Sequence, residues 1–225
     1  MMRDSCCVGH NINDLENTFN QKRAESEARV YLEKGADKRI QKLLAYFDGQ
    51  STKPFTVLDI GSGVGGAHFE LLKNGLADHV VGVDACSSYI ESAKQTADSL
   101  HFVDRVRYIQ GDFAQSPDSI PPADIVILDR VICCYPHLEQ LLAPAPERSK
   151  RYLALSYPRE AWGLKAFYKI MNSIRRLRKS EFFTYIHPHA DVNRIARQYR
   201  LFPVHASRSG EWQITIFERK EDNHQ

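Results

Sequence analysis

The sequence has no long hydrophobic run. No uninterrupted apolar stretch approaches the roughly 18 residues needed to cross a bilayer, and the opening MMRDSCCVGHNINDL lacks the apolar core of a secretion signal. The chain is therefore expected to stay in the cytoplasm. An excess of one charge is also missing: 30 Lys and Arg against 28 Asp and Glu leave +2, too little to argue for nucleic-acid binding. Cysteine is sparse and odd in number at five, which speaks for reduced thiols rather than a disulfide framework in a chain of this size. Cys6, Cys7 and His10 do not complete a four-ligand zinc set, and no metal is expected. Internal repeats and low-complexity tracts are absent too.

What is there is an ordinary globular balance, 43% hydrophobic and 26% charged over 225 residues, enough to bury a sizeable core. Helical spacing runs from about Asn20 to Phe47, broken by Gly35, and DGQSTKP follows. We read residues 1–53 as an N-terminal helical cover and 54–225 as the main domain. After Pro54 come short, nearly continuous apolar runs: FTVLDI, HVVGVDA, VRYIQGDF, DIVILDR and RYLALSYP. Such runs suit strands covered on both faces, and their alternation with amphipathic stretches predicts an α/β fold with a doubly wound, mostly parallel sheet.

GGAHFELLKNG reads as a helix closed by Gly75, and SSYIESAKQTADSL as one with Ser88 and Glu91 at capping-box spacing. A basic amphipathic helix is expected near 162–180, with Phe167, Ile170, Met171, Ile174 and Leu177 on one stripe and Lys165, Lys169, Arg175, Arg176 and Lys179 on the other side. Three readings apply to it: a solvated face over a stripe that packs on the domain, which is the favoured one, a peripheral membrane contact, or a lid whose cations face an acidic substrate. A shorter helix covers ADVNRIARQYR. The ending LFPVHASRSGEWQITIFER reads as an antiparallel hairpin turning at Ser209-Gly210, bringing the sheet to seven strands.

The chemistry gathers at the strand ends. Gly61-Ser62-Gly63-Val64-Gly65-Gly66 satisfies G-x-G-x-x-G between a strand and a helix, where glycines permit a sharp turn and close ligand approach. Asp59, Asp84, Asp112 and Asp129 fall at the carboxyl ends of the first four strands, the edge that forms the ligand crevice in open α/β sheets. Carboxylates there disfavour a dinucleotide pyrophosphate and favour a ligand with cationic groups. Asp84 lies where an acidic residue accepts hydrogen bonds from ribose hydroxyls.

VLDIGSGVGG, GVDA, GDF and the strand ending in LDR, taken in order, resemble a class I S-adenosylmethionine-dependent methyltransferase over about Phe55 to Tyr157. The resemblance implies a seven-stranded Rossmann-like methyltransferase fold with S-adenosylmethionine as cofactor. It implies that Gly61 and Gly63 approach the methionine part, with Asp59 beside them. Asp84, with Ala85, would bind the ribose, Asp112 with Phe113 would meet the adenine, and Asp129 would line the floor. LDRVICCYPHLEQLL, LSYPRE, HPHADV and WQITIF are similar to a bacterial group likened to magnesium-protoporphyrin O-methyltransferases. TFNQKRAESEARVYLEKGADKRIQKLL resembles the N-terminal cover of such enzymes, where Tyr31 could touch the methionine part.

The acceptor is expected to be a small molecule, with Arg130, Tyr135, Tyr157 and His187 as substrate-side candidates. Arg159, His189, Cys133 and Cys134 lie in the same stretches, and no residue stands out as a base. No N-P-P-Y sequence follows the fourth strand, which argues against nucleobase or glutamine nitrogens as acceptors. No Asp-Asn pair follows the fifth, which argues against a metal-dependent catechol methyltransferase. Two rival readings remain at this point: a nicotinamide-dependent oxidoreductase, supported by the literal glycine motif, and a non-catalytic S-adenosylmethionine-binding module.

Overall fold

The computed structural model describes residues 16–180 and 182–220; Cys6, Cys7 and His10 lie outside the described residues. Helix α1 (Gln21–Lys34) starts at Asn20, whose side chain accepts from the Arg23 amide, and stops at Gly35 with φ +71°. Helix α2 (Lys38–Leu44) starts at Asp37, whose carboxylate accepts from the amides of Arg39 and Ile40, and one 3₁₀ turn, Ala45–Phe47, follows. Then come β1 (Phe55–Ile60), α3 (Gly66–Lys73), β2 (Ala77–Asp84), α4 (Ser87–Ser99), β3 (Val106–Gln110) and β4 (Ala123–Asp129). The chain continues through α5 (Leu138–Leu142), α6 (Pro144–Arg148), β5 (Ser149–Pro158), α7 (Trp162–Leu177), α8 (His189–Gln198), β6 (Leu201–Ser209) and β7 (Trp212–Arg219).

The seven strands are ordered β3-β2-β1-β4-β5-β7-β6. All pairs from β3 to β5 are parallel, and the C-terminal hairpin is antiparallel. The expected α/β sheet is therefore present. Its order reverses between β1 and β4, and at such a switch point the carboxyl ends of the two strands leave a crevice.

Strand alternation divides the core into two layers. Ile125, Ile127, Tyr152 and Ala154 face one side, with Phe47, Leu43, Phe69 and Leu72 over them. Val126, Leu128, Leu153, Leu155 and Tyr157 face the other, under Leu141, Leu142, Val192 and Ile195. Phe47 is fully buried and meets Phe55 and Tyr152 edge-on at 6.2 and 5.4 Å, so the lead-in helices share the sheet's own core.

Two expectations need correction. Helix α4 begins two residues earlier than an N-cap at Ser88 would allow: its N-cap is Cys86, without a side-chain cap. The Ser88 hydroxyl instead donates to the Phe19 carbonyl at 2.8 Å, so no capping box forms; a tertiary acceptor has captured the group. Nor does the apolar stripe of α7 pack on the domain. No residue of α7 is buried, and Trp162, Phe167, Ile170, Ile174 and Leu177 are all exposed.

Because Phe47 ties the lead-in helices to the sheet, Phe47→Ala is expected to cost about 3–5 kcal/mol, measured by urea unfolding of the whole chain. A loss below about 1 kcal/mol would show that those helices are not part of the core.

Candidate functional site

The turn after β1 is bound to the end of β2. The amides of Gly61 and Ser62 both donate to the Val83 carbonyl, at 2.7 and 3.0 Å. The Gly63 amide donates to Asp84 Oδ2 at 2.9 Å, while the Cys86 amide donates to Oδ1 at 2.9 Å. Gly61 and Gly63 have φ of +65° and +55°, a region that L side chains rarely occupy, and a Cβ on Gly61 would sit 2.5 Å from the Val131 side chain.

Two adjoining cavities open at this turn. One, of about 340 Å³, is lined by Gly61, Gly63, Asp84, Ala85, Asp112 and Phe113 on one side. Arg130, Cys133, Cys134, Tyr135, Tyr168 and Arg175 line its other side. The second, of about 320 Å³, shares Gly61, Gly63, Asp129 and Arg130 with the first and adds Tyr31, Arg39 and Asp59. Each is in the size range of small-molecule sites. Phe19, Arg23 and Glu27 from the lead-in segment also line the first; Phe19 is held there edge-on to Tyr89 and Phe182 at 5.8 and 5.3 Å.

The four strand-end carboxylates differ in their partners. Asp59 is buried against His68 on α3, with Nδ1 2.8 Å from Oδ2, while its buried Oδ1 has no hydrogen-bond partner. His68 Nε2 in turn lies 3.1 Å from the Tyr108 hydroxyl. Asp129 accepts hydrogen bonds from the buried Arg39 guanidinium and from the Ser156 hydroxyl. Arg39 also pairs with Asp37 at 2.8 Å, and burial lowers its pKa to about 10. Asp112 accepts from the Tyr135 hydroxyl and the Ala114 amide.

Asp84 has two backbone donors and, among the described residues, no cationic partner within 4 Å. Its carboxyl faces the cavity and is hemmed in by protein elsewhere. Burial pushes its pKa up to about 6, against the pull of the Cys86 and Gly63 amides, with Asp59 and Glu27 adding to the rise.

Not every substrate-side candidate reaches the cavities. Arg130 and Tyr135 line the first. Tyr157 does not: it continues the inward row of Leu153 and Leu155, and its hydroxyl lies 3.2 Å from Thr215 Oγ1 in the core. His187 does not either: its Nε2 sits 3.0 and 2.8 Å from the carbonyls of Ile132 and Tyr135, clasping that loop, and burial lowers its pKa. Tyr135 is a donor, since burial and the Asp112 carboxylate raise its pKa far above the ordinary value. Tyr31 lines the second cavity and donates to Glu70 at 2.9 Å.

Sequence reasoning missed Arg39, His68 and Tyr168, and it placed Arg175 on the basic helix without assigning it to the site. Arg39 and Asp129 are 90 residues apart, so no local spacing marks that pair. Cys133 and Cys134 both line the first cavity, Cys133 buried and Cys134 partly open.

His68→Ala would leave the Asp59 carboxylate buried without its side-chain partner. We expect it to cost about 3 kcal/mol or more in urea unfolding, with part of that recovered when Asp59→Asn is added; a single mutant within about 0.5 kcal/mol of wild type would mean the pair carries no weight.

Among solved structures, the magnesium protoporphyrin IX methyltransferase from Synechocystis PCC 6803 with bound SAH aligns at TM-score 0.73 and 19% identity, covering 92% of this chain and 99% of that one. The same enzyme with bound SAM aligns at 0.70 and 18%, covering 95% and 99%. An O-methyltransferase family protein from Burkholderia thailandensis aligns at 0.73 and 14%, covering 94% of this chain and 63% of that one. At these identities the likeness is one of fold. None of the curated proteins compared matches the chain. A family model described as a methyltransferase domain matches residues 51–206. That stretch runs from just before β1 into β6 and takes in the glycine turn together with all four strand-end carboxylates, so the chain belongs to the methyltransferase-domain family.

Proposed function

We propose that the chain transfers a methyl group from S-adenosylmethionine to a small-molecule acceptor, with the two adjoining cavities holding cofactor and acceptor. The observation that carries the reading is Asp84, a half-buried carboxylate at the end of β2 held by the Gly63 amide and lining the cavity that the glycine turn opens. The unpartnered Asp59 Oδ1 beside the second cavity is a further fit, since a buried acceptor without a donor suits a ligand ammonium. The SAM- and SAH-bound neighbours named above share the fold and point to the same cofactor.

When bound, S-adenosylmethionine supplies a methyl group activated on a sulfonium. The chain's part is to orient, to exclude water and to place charge. In our reading Asp84 accepts from the ribose hydroxyls, with Ala85 beside it, and Gly61 and Gly63 let the backbone approach the methionine part. Asp112 and Phe113 hold the adenine. Asp129, neutralised by Arg39, contributes a fixed wall rather than a free charge. Residues 16–53 act as the cover, through Phe19 and Glu27.

On the acceptor side, Arg130 and Arg175 present guanidinium donors to an acidic acceptor group, and Tyr135 keeps its proton and donates. No side chain at the first cavity stands out as a base, so alignment is the main catalytic device we assign. The nicotinamide reading loses support here, because Asp84 and Asp112, both without a cationic partner among the described residues, face the cavity where a pyrophosphate would have to lie.

Calorimetric titration tests this. We expect one-to-one binding of S-adenosylmethionine and S-adenosylhomocysteine and no response to oxidised nicotinamide dinucleotide; Asp84→Asn should weaken the first two by about tenfold or more, equivalent to about 1.4 kcal/mol. Folded protein that binds neither sulfur nucleoside would defeat the reading.

The pH dependence has a definite sign. A carboxyl raised from 3.8 to about 6 by burial contributes stability below pH 3.8 that is lost as pH rises through 6. The ribose hydroxyls need the ionised form, so binding draws that proton off. Affinity for S-adenosylmethionine should therefore rise about tenfold from pH 5 to 7, below the range near 8 where the ligand's own amine titrates. In Asp84→Asn that rise should be absent; a flat wild-type profile would remove Asp84 from the contact.

A further inference from the structure

Helix α7 is turned the wrong way for a helix that serves the core. Its inward side is made of polar contacts. Tyr168 donates to Glu211 at 2.9 Å, Asn172 exchanges hydrogen bonds with the backbone of Thr184 at 2.7 and 3.1 Å, and Arg175 donates to the Thr184 hydroxyl at 2.9 Å. Tyr168 and Arg175 line the first cavity, so this side roofs it. The outward side carries Trp162, Ile170 and Leu177, exposed by 86, 61 and 84%, with Phe167 and Ile174 beside them at 51 and 38%. At 100° per residue these five fall on one continuous arc. No described residue covers that arc.

The charge around it is as one-sided as the apolar arc. Residues 161–180 hold six Lys and Arg and no Asp or Glu; since the whole chain sums to +2, the rest of it sums to −4. Lys169 and Arg176 border the apolar arc, and Arg178 and Lys179 follow its end. Among the described residues none of these four has a carboxylate within 4 Å, whereas Lys165 pairs with Glu160 at 3.1 Å.

We propose that the outer face of Trp162–Leu177 docks on an anionic lipid bilayer surface, its apolar arc in the acyl boundary and its Lys and Arg among the headgroups. An apolar arc bordered by cations matches both layers of such a surface. A nucleic acid would match the cations and leave the arc in water, and a second copy would bring two basic helices together. No described helix is long and apolar enough to cross a membrane, so the contact is peripheral. Docking sets the roof of the first cavity against the bilayer. The inference stands apart from the methyltransferase reading.

The test is co-sedimentation of the full chain with vesicles of phosphatidylcholine alone and of phosphatidylcholine mixed equally with phosphatidylglycerol. We expect binding to the anionic vesicles at about 0.1 M salt, weakened about tenfold on neutral vesicles and in salt about five times higher. The double variant Ile170→Glu, Leu177→Glu changes only exposed positions and should keep its circular dichroism while losing tenfold or more in vesicle affinity. Lys169→Glu, Arg176→Glu should lose a similar factor on anionic vesicles only. Failure to bind vesicles, equal binding to both kinds, or full binding by the Ile170, Leu177 variant would each overturn the proposal. So would a dimer in sizing that this variant dissolves while vesicles are ignored, which would assign the face to a second copy.

Discussion

The hydrogen bond from the Gly63 amide to the Asp84 carboxylate joins the ends of β1 and β2, and the geometry of the site follows from it. For the amide to point there, the turn must pass through positive φ at Gly61 and Gly63, and the two strands must be neighbours in parallel register. The Val83 carbonyl takes two more amides from the same turn, so turn and strand end form one unit. Asp84 is then half-buried with two neutral donors and no compensating cation among the described residues, and desolvation raises its pKa to about 6. In this protein the tension at the site is electrostatic: a carboxylate short of donors, in a cavity that a ligand with hydroxyls would complete.

The other three carboxylates show how little the residue type alone decides. Asp59 is tied to His68, Asp129 to Arg39 and Ser156, and Asp112 to Tyr135. A charge held by a buried guanidinium acts on a ligand as a dipole more than as an ion. Arg39 therefore makes the crevice less acidic than four aspartates suggest, and Asp84 and Asp112 have no cationic partner within 4 Å among the described residues.

The sheet was legible because buried parallel strands write themselves as continuous apolar runs, and the glycine turn and Asp84 were legible because their roles depend on spacing within one βαβ unit. What could not be read depends on distant partners. Arg39 meets Asp129 across 90 residues. Ser88 and Glu91 carry a local capping pattern, yet the Phe19 carbonyl takes the Ser88 hydroxyl. Tyr157 is a different case: Leu153, Leu155 and Tyr157 stand on one face of β5 by simple alternation, so its place in the core was available from the period of two and was outweighed by proximity in sequence to the strand end.

Helix α7 marks the limit of periodicity as a guide. A period of 3.6 shows that a helix has an apolar side and says nothing about where that side points. In most surface helices the core claims it, because burying apolar area is the largest available gain. Here the position over a cavity reverses the demand: the underside must supply Tyr168, Asn172 and Arg175 to hold Glu211 and the Thr184 segment, and those polar contacts fix the helix's rotation. The apolar arc is left facing out as a consequence of roofing the cavity with hydrogen bonds. The free energy forgone by leaving five large side chains in water is sizeable at about 25 cal/mol per Å², and an outer surface that removes them from water is the simplest way for the chain to recover it.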